Sequence, residues 1–165
     1  MTNKTKNVID YHYTECGLDN VLIKGMPVMI DDDGDEIIDI TGINILHALI
    51  VLDLALKDGA WTASELKFVR SELGLTQSQL GQLVDKDRQS IARWEKSTHD
   101  IDKTAEIIIR MAAMDHLVEL EVIKEESEIH ERPPVKDMSA KVRPSAANNQ
   151  IVIHSTGEGY RREAA

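Results

Sequence analysis

The chain has 165 residues, of which 42% are hydrophobic and 29% charged, which permits a packed core and excludes general disorder. Its one cysteine, Cys16, excludes an intramolecular disulfide and a four-thiolate zinc site, as fits a reducing compartment. The net charge of -10 argues against a protein that clings to any polyanion it meets.

Taken in order, residues 1–17 are polar and turn-like, with no apolar run of the signal-peptide kind. Val21-Leu22-Ile23 is a short strand candidate followed by a turn at Lys24-Gly25. Residues 28–30 and 36–40 flank the cluster Asp31-Asp32-Asp33-Gly34-Asp35 and predict a β-hairpin. A calcium loop centred on Gly34 would place Met29 and Ile40 at its first and last ligand positions, and neither can ligate. Thr41 is the expected cap of a helix over 42–57, ended by Asp58-Gly59. The apolar run inside it carries His47 and Asp53, is too short to cross a bilayer and reads as buried helix. A cytoplasmic protein without a membrane partner is expected.

From Ala63 the periodicity becomes helical and broken. Leu66, Val69 and Leu73 form one stripe, stopped by Gly74. Leu80, Leu83 and Val84 form a second, opened by Thr76, and Ile91 and Trp94 a third, opened by Asp87. Residues 102–130 predict one long or two consecutive helices, ended by Pro133-Pro134. The remainder is polar, with one strand candidate at Ile151-Val152-Ile153, and reads as a flexible tail. The division expected is therefore 1–60, a hairpin-plus-helix region for dimerisation or partner binding; 61–131, a helical domain; and 132–165, the tail.

Charge follows this division. Residues 1–61 hold 4 basic and 11 acidic side chains, residues 62–110 hold 8 of each, and residues 111–165 hold 7 and 10. The acidity thus lies mostly outside the middle segment, and a local cluster of cations decides phosphate contact. In that segment Ile91 and Trp94, three apart, face inward together, and Trp94 reads as core rather than as a stacking residue. The opposite face shows Arg88, Gln89, Arg93 and Lys96. Arginine and glutamine make paired hydrogen bonds to guanine and adenine edges in the major groove. Gly81 is the small residue expected to let two helices cross closely. The pattern predicts a helix-turn-helix over 63–109 whose second helix, from Arg88, reads double-stranded DNA.

Residues 66–95 resemble the Xre/Cro family of phage-repressor-like domains. The likeness rests on Leu75-Thr76-Gln77, on Leu80-Gly81 and on the run Arg88-Gln89-Ser90-Ile91-Ala92-Arg93-Trp94-Glu95. It implies a mainly α protein with a lambda-repressor-like fold, plus the small N-terminal hairpin and helix region. It further implies a homodimer on an operator with paired half-sites. Arg88, Gln89 and Ser90 would contact bases, and Arg93 a base or a phosphate. Gln77, Lys86 and Lys96 would contact phosphates, and Arg70 and Glu95 would form an ion pair. The chain departs from the pattern at Asp85 and Ser97, where glycine is usual, and at Lys86, usually apolar.

Residues 11–21, Tyr-His-Tyr-Thr-Glu-Cys-Gly-Leu-Asp-Asn-Val, followed by a hairpin, a helix and the reading domain, resemble the MqsA/YgiT-type antitoxin regulators. Their two Cys-x-x-Cys pairs are absent here, so no metal is expected. His12 with Cys16 lacks the further ligands a site needs and reads as a packed thiol beside a turn. No Ser-His-Asp arrangement, phosphate loop or paired acids appears, and neither a cofactor nor an enzyme activity is expected. The sequence leaves open a dimeric repressor and a toxin-neutralising antitoxin that represses its own operon. The helices at 42–57 and 102–130 carry more apolar surface than about 50 residues can cover. That excess must meet the N-terminal region, a second subunit, or both.

Overall fold

The computed structural model describes residues 7–120, 137–138, 141–142, 150–157 and 159–163. The chain forms two compact units, Met1–Ile50 with Asn149–Ala165, and Val51–Asn148, with the division falling inside a helix.

The first unit is built on a five-stranded sheet. β1 (Asn7–His12) and β2 (Val21–Ile30) are antiparallel, and β3 (Glu36–Ile38) closes the expected hairpin on β2. Asp31 builds its turn by accepting the amides of Asp33 and Asp35 through Oδ1. The strand candidate at Val21–Ile23 does not stop at Lys24-Gly25. It continues through a bulge, where Ile9 faces Met26 but Tyr11 faces Ile23, leaving one extra residue on β2. Gly25 takes φ +73 there, a left-handed conformation that suits glycine. The bulge resets the alternation, so that Val21, Ile23, Met26 and Val28 all stay buried.

Two expectations are corrected here. β4 (Ile151–Thr156) lies parallel to β2, and β5 (Gly159–Arg162) pairs antiparallel with β4, so these two segments do not belong to a flexible tail. Asn20 accepts the Ile151 amide at the entrance to this pairing, and Ile151 and Ile153 are buried. β1 occupies one edge of β2, and β4 and β3 share the other end to end, as their partners on β2 require. The second correction follows: helices predominate, but with a sheet made from both ends of the chain the fold is not simply mainly α. The reason is length. Each strand is short, and the parallel partner of Val21 lies about 130 residues away.

α1 (Ile43–Leu56) is capped by Gly42, whose carbonyl accepts the Ile45 and Leu46 amides, rather than by Thr41. Its residues 46, 48–52, 54 and 55 are buried. Most of the apolar surface of this helix is therefore covered within one chain, while Ile43 and Ile45 in its first turn stay exposed.

In the second unit α2 (Ala63–Glu72), α3 (Gln77–Leu83), α4 (Arg88–Glu95) and α5 (Lys103–Glu119) follow the predicted stripes. Thr62 with Glu65, and Thr76 with Gln79, form reciprocal capping boxes, while Asp87 and Asp102 cap α4 and α5. α2, α3 and α4 end alike, with a left-handed residue at Gly74, Asp85 and Ser97 and a following amide bonded back into the last turn. The expected helix beyond residue 120 and its Pro133-Pro134 stop lie outside the described residues.

This unit buries ions that the apolar pattern did not announce. Arg110, fully buried, donates to Glu106 and to the carbonyls of Ala55, Lys57 and Gly59, stitching α5 to the end of α1. The guanidinium also stands 5.1 Å from the Trp61 ring. Glu106 accepts the Trp61 amide as well, but its Oε2 has no partner among the described residues. Burial pushes the Glu106 carboxyl above the usual carboxylate range, against the pull of Arg110. Lys57 and Glu65 form a second buried pair at 2.8 Å.

Candidate nucleic-acid interface

α4 is only eight residues long, and such a helix is unstable alone. Its position comes from three sources. Ile91 and Trp94 are buried, each worth about 1.5–3 kcal/mol of apolar transfer. Gly81 admits the preceding turn: a Cβ there would stand 2.5 Å from the Lys86 carbonyl oxygen. The expected helix-to-helix crossing at Gly81 is thus a contact of α3 with the backbone of Lys86 and Asp87, and the Lys86 amide donates to the Gly81 carbonyl at 2.8 Å.

The third source is the Arg70–Glu95 pair the resemblance implied. Arg70 Nη2 lies 3.1 Å from Glu95 Oε2, Nε donates to Oε1, and Nη1 donates to the Leu75 carbonyl at 2.8 Å. The two side chains are 14% and 5% exposed, so the pair is largely shielded from water. Gln77 joins it, donating from Nε2 to Glu95 Oε2 at 2.8 Å. One network therefore fixes the end of α2, the start of α3 and the end of α4. Resemblance assigns Gln77 only a phosphate contact, and this bond to Glu95 has no signal in the sequence.

The outward face holds the remaining candidates. Arg88, Gln89, Arg93 and Lys96 are exposed, and Ser90 is half-exposed. The structure brings them together along and around the first turns of α4, with Lys96 at its C-cap. Lys86, also exposed, has its Nζ 3.8 Å from Asp102 Oδ2, so part of its charge is already answered. Asp87 accepts the Ser90 amide at 2.7 Å. Hydrogen bonds from the Ser90 hydroxyl and amide, helped by the nearby Arg93 charge, hold the Asp87 carboxyl below its ordinary range. The ionised cap is accordingly present at neutral pH, and its contribution is lost only as acid titrates Asp87 through that lowered value. Ser90, expected on a base, gives its backbone amide to its own helix cap. Asp85 and Ser97 take φ of 54° and 58°, as their places in the pattern demand.

The second candidate cluster, His12 with Cys16, is directed to the backbone. His12 Nε2 contacts the Asp19 carbonyl at 2.6 Å, and Cys16 Sγ points to the Tyr13 carbonyl. Among the described residues no helix is long and apolar enough to cross a membrane.

A helix-turn-helix family model matches residues 66–115, from α2 into α5. That span includes the Gly81 turn, the Arg70–Glu95–Gln77 network and the whole of α4. No curated protein and no solved structure matches the chain.

Proposed function

We propose that this chain is a sequence-specific DNA-binding transcriptional regulator, acting as a dimeric repressor. The observation that carries the reading is the division of α4: Ile91 and Trp94 are locked inside, while Arg88, Gln89 and Arg93 stand exposed on the other side. Arg88 and Gln89, at the first turn, would enter the major groove and bond to base edges, with Arg93 one and a half turns on. Gln77, Lys86 and Lys96 would meet phosphates around that groove. The second unit carries no large cation excess, so phosphate contact alone supplies modest affinity and base contacts must supply the rest.

Dimerisation suits this economy, since two half-sites double the base contacts. Among the described residues of this unit, Val118 and Leu120 at the end of α5 are the most exposed large apolar side chains and are available to a second copy. The test is selection of duplex sites from a random library by the purified chain. The expected product is a two-fold symmetric motif with half-sites about 10 base pairs apart. Recovery of no motif at low ionic strength would overturn the reading.

A second reading is an antitoxin that neutralises a toxin and represses its own operon. It is favoured by the exposed acidic turn at residues 32–36, with exposed Ile37 on the strand that follows it, features suited to a basic protein. Co-purification of a basic partner that these residues bind would support it.

A further inference from the structure

We propose that Asp87 is a specificity-determining residue that accepts a hydrogen bond from a cytosine amino group, beside a guanine read by Arg88. The inference rests on the DNA-binding reading of α4 and deepens it. Asp87 immediately precedes Arg88, at the end of the helix that would lie deepest in the groove. Its backbone cannot drift, because the chain at Lys86 and Asp87 is pressed against Gly81 and the Asp87 carbonyl accepts the Ile91 amide.

Its side chain is held too. A carboxylate offers about four lone-pair directions. The Ser90 amide uses one of them, at 2.7 Å, holding the carboxylate over the first turn of α4, and the rest of this exposed group faces solvent. A capping serine or threonine would satisfy the helix equally well. The ionised side chain brings to this site a fixed acceptor and a negative charge.

That charge selects what it faces. Against phosphate, or against the O6 and N7 of guanine or the O4 of thymine, an acceptor is repelled. The N6 group of adenine donates but stands beside the N7 acceptor. Cytosine presents its N4 amino group with no acceptor on its own major-groove edge. Its paired guanine displays the O6 and N7 that suit an arginine. Asp87 and Arg88 are therefore a ready-made acceptor and donor for one cytosine–guanine pair or two adjacent ones. The same carboxylate penalises every complex that lacks the amino group, which limits adhesion to random DNA.

The experiment is site selection with the full chain and with Asp87→Asn and Asp87→Ser, both of which retain a capping side chain. Wild type is expected to select a cytosine at one position of each half-site. Both variants are expected to keep the rest of the motif, lose about tenfold of the cytosine preference, and bind random duplex several-fold more tightly. Melting curves identify a variant that fails to fold, and the other variant then decides. An unchanged cytosine preference in a folded variant would overturn the proposal and leave Asp87 a helix cap only. A wild-type chain that selects no motif would overturn the DNA-binding reading, and the proposal with it. A wild-type motif without that cytosine would sink the proposal alone.

Discussion

The two units hold themselves together over different distances along the chain. In the sheet unit, Val21 and Ile23 pair with Ile151 and Ile153, so the interior depends on closing a loop of about 130 residues. In the helical unit, Thr76 and Gln79, or Asp87 and Ser90, satisfy each other three residues apart. The cross-ties differ as well. The sheet unit closes on apolar side chains, with a hydrogen bond between Tyr13 and His47 at its edge of polarity. The helical unit is tied by ions: Arg110 with Glu106, Lys57 with Glu65, and Arg70 with Glu95. Helices of seven and eight residues expose many backbone groups and bury few side chains, so they need fixed points. A rigid frame with a polar outer edge is what groove reading demands.

The long-range pairing of β2 with β4 is the tie whose loss should cost the sheet unit most. Removing residues 150–165 strips β2 of its parallel partner. Amide-exchange protection is expected to collapse over Val21–Lys24 while that of α2–α5 persists. Loss of protection in both units together would show that they are not separately organised.

Among the ionic ties, the driest should matter most. Arg110→Ala leaves the Glu106 carboxylate and three backbone carbonyls without their donor, and about 3–5 kcal/mol of stability should be lost in denaturant titration. Glu95→Ala removes a tie whose arginine keeps some water contact, and a smaller loss of about 1–3 kcal/mol is expected. Equal losses would mean that burial does not rank these pairs. The gentlest change runs the other way. Ser97→Gly relieves a left-handed serine and is expected to raise stability by up to about 1 kcal/mol, read as a higher Tm.

The same difference in range explains what was legible beforehand. The capping residues Thr76 and Asp87, the stripes through Leu66, Leu80 and Ile91, and the stop at Gly74 are signals within one or two turns, and each marks a real boundary. β2 read as two pieces because its bulge shifts the alternation by one at Gly25 and thus disguises a continuous strand. Nothing near Ile151 announces that its partner is Val21. Within the candidate site, Arg88, Gln89 and Arg93 were visible as a polar face, and the Arg70–Glu95 pair followed from resemblance. The Gln77–Glu95 bond depends on side-chain placement, which spacing alone does not supply.

Whether the exposed edge of α4 reads bases is decided by comparing its binding to two DNAs. Arg88→Ala and Gln89→Ala would be titrated against the selected operator and against random duplex of equal length and salt. Each substitution is expected to cost about 1–3 kcal/mol on the operator and little on random DNA. Equal losses on both would contradict the account, placing these side chains on phosphates and leaving the bases unread.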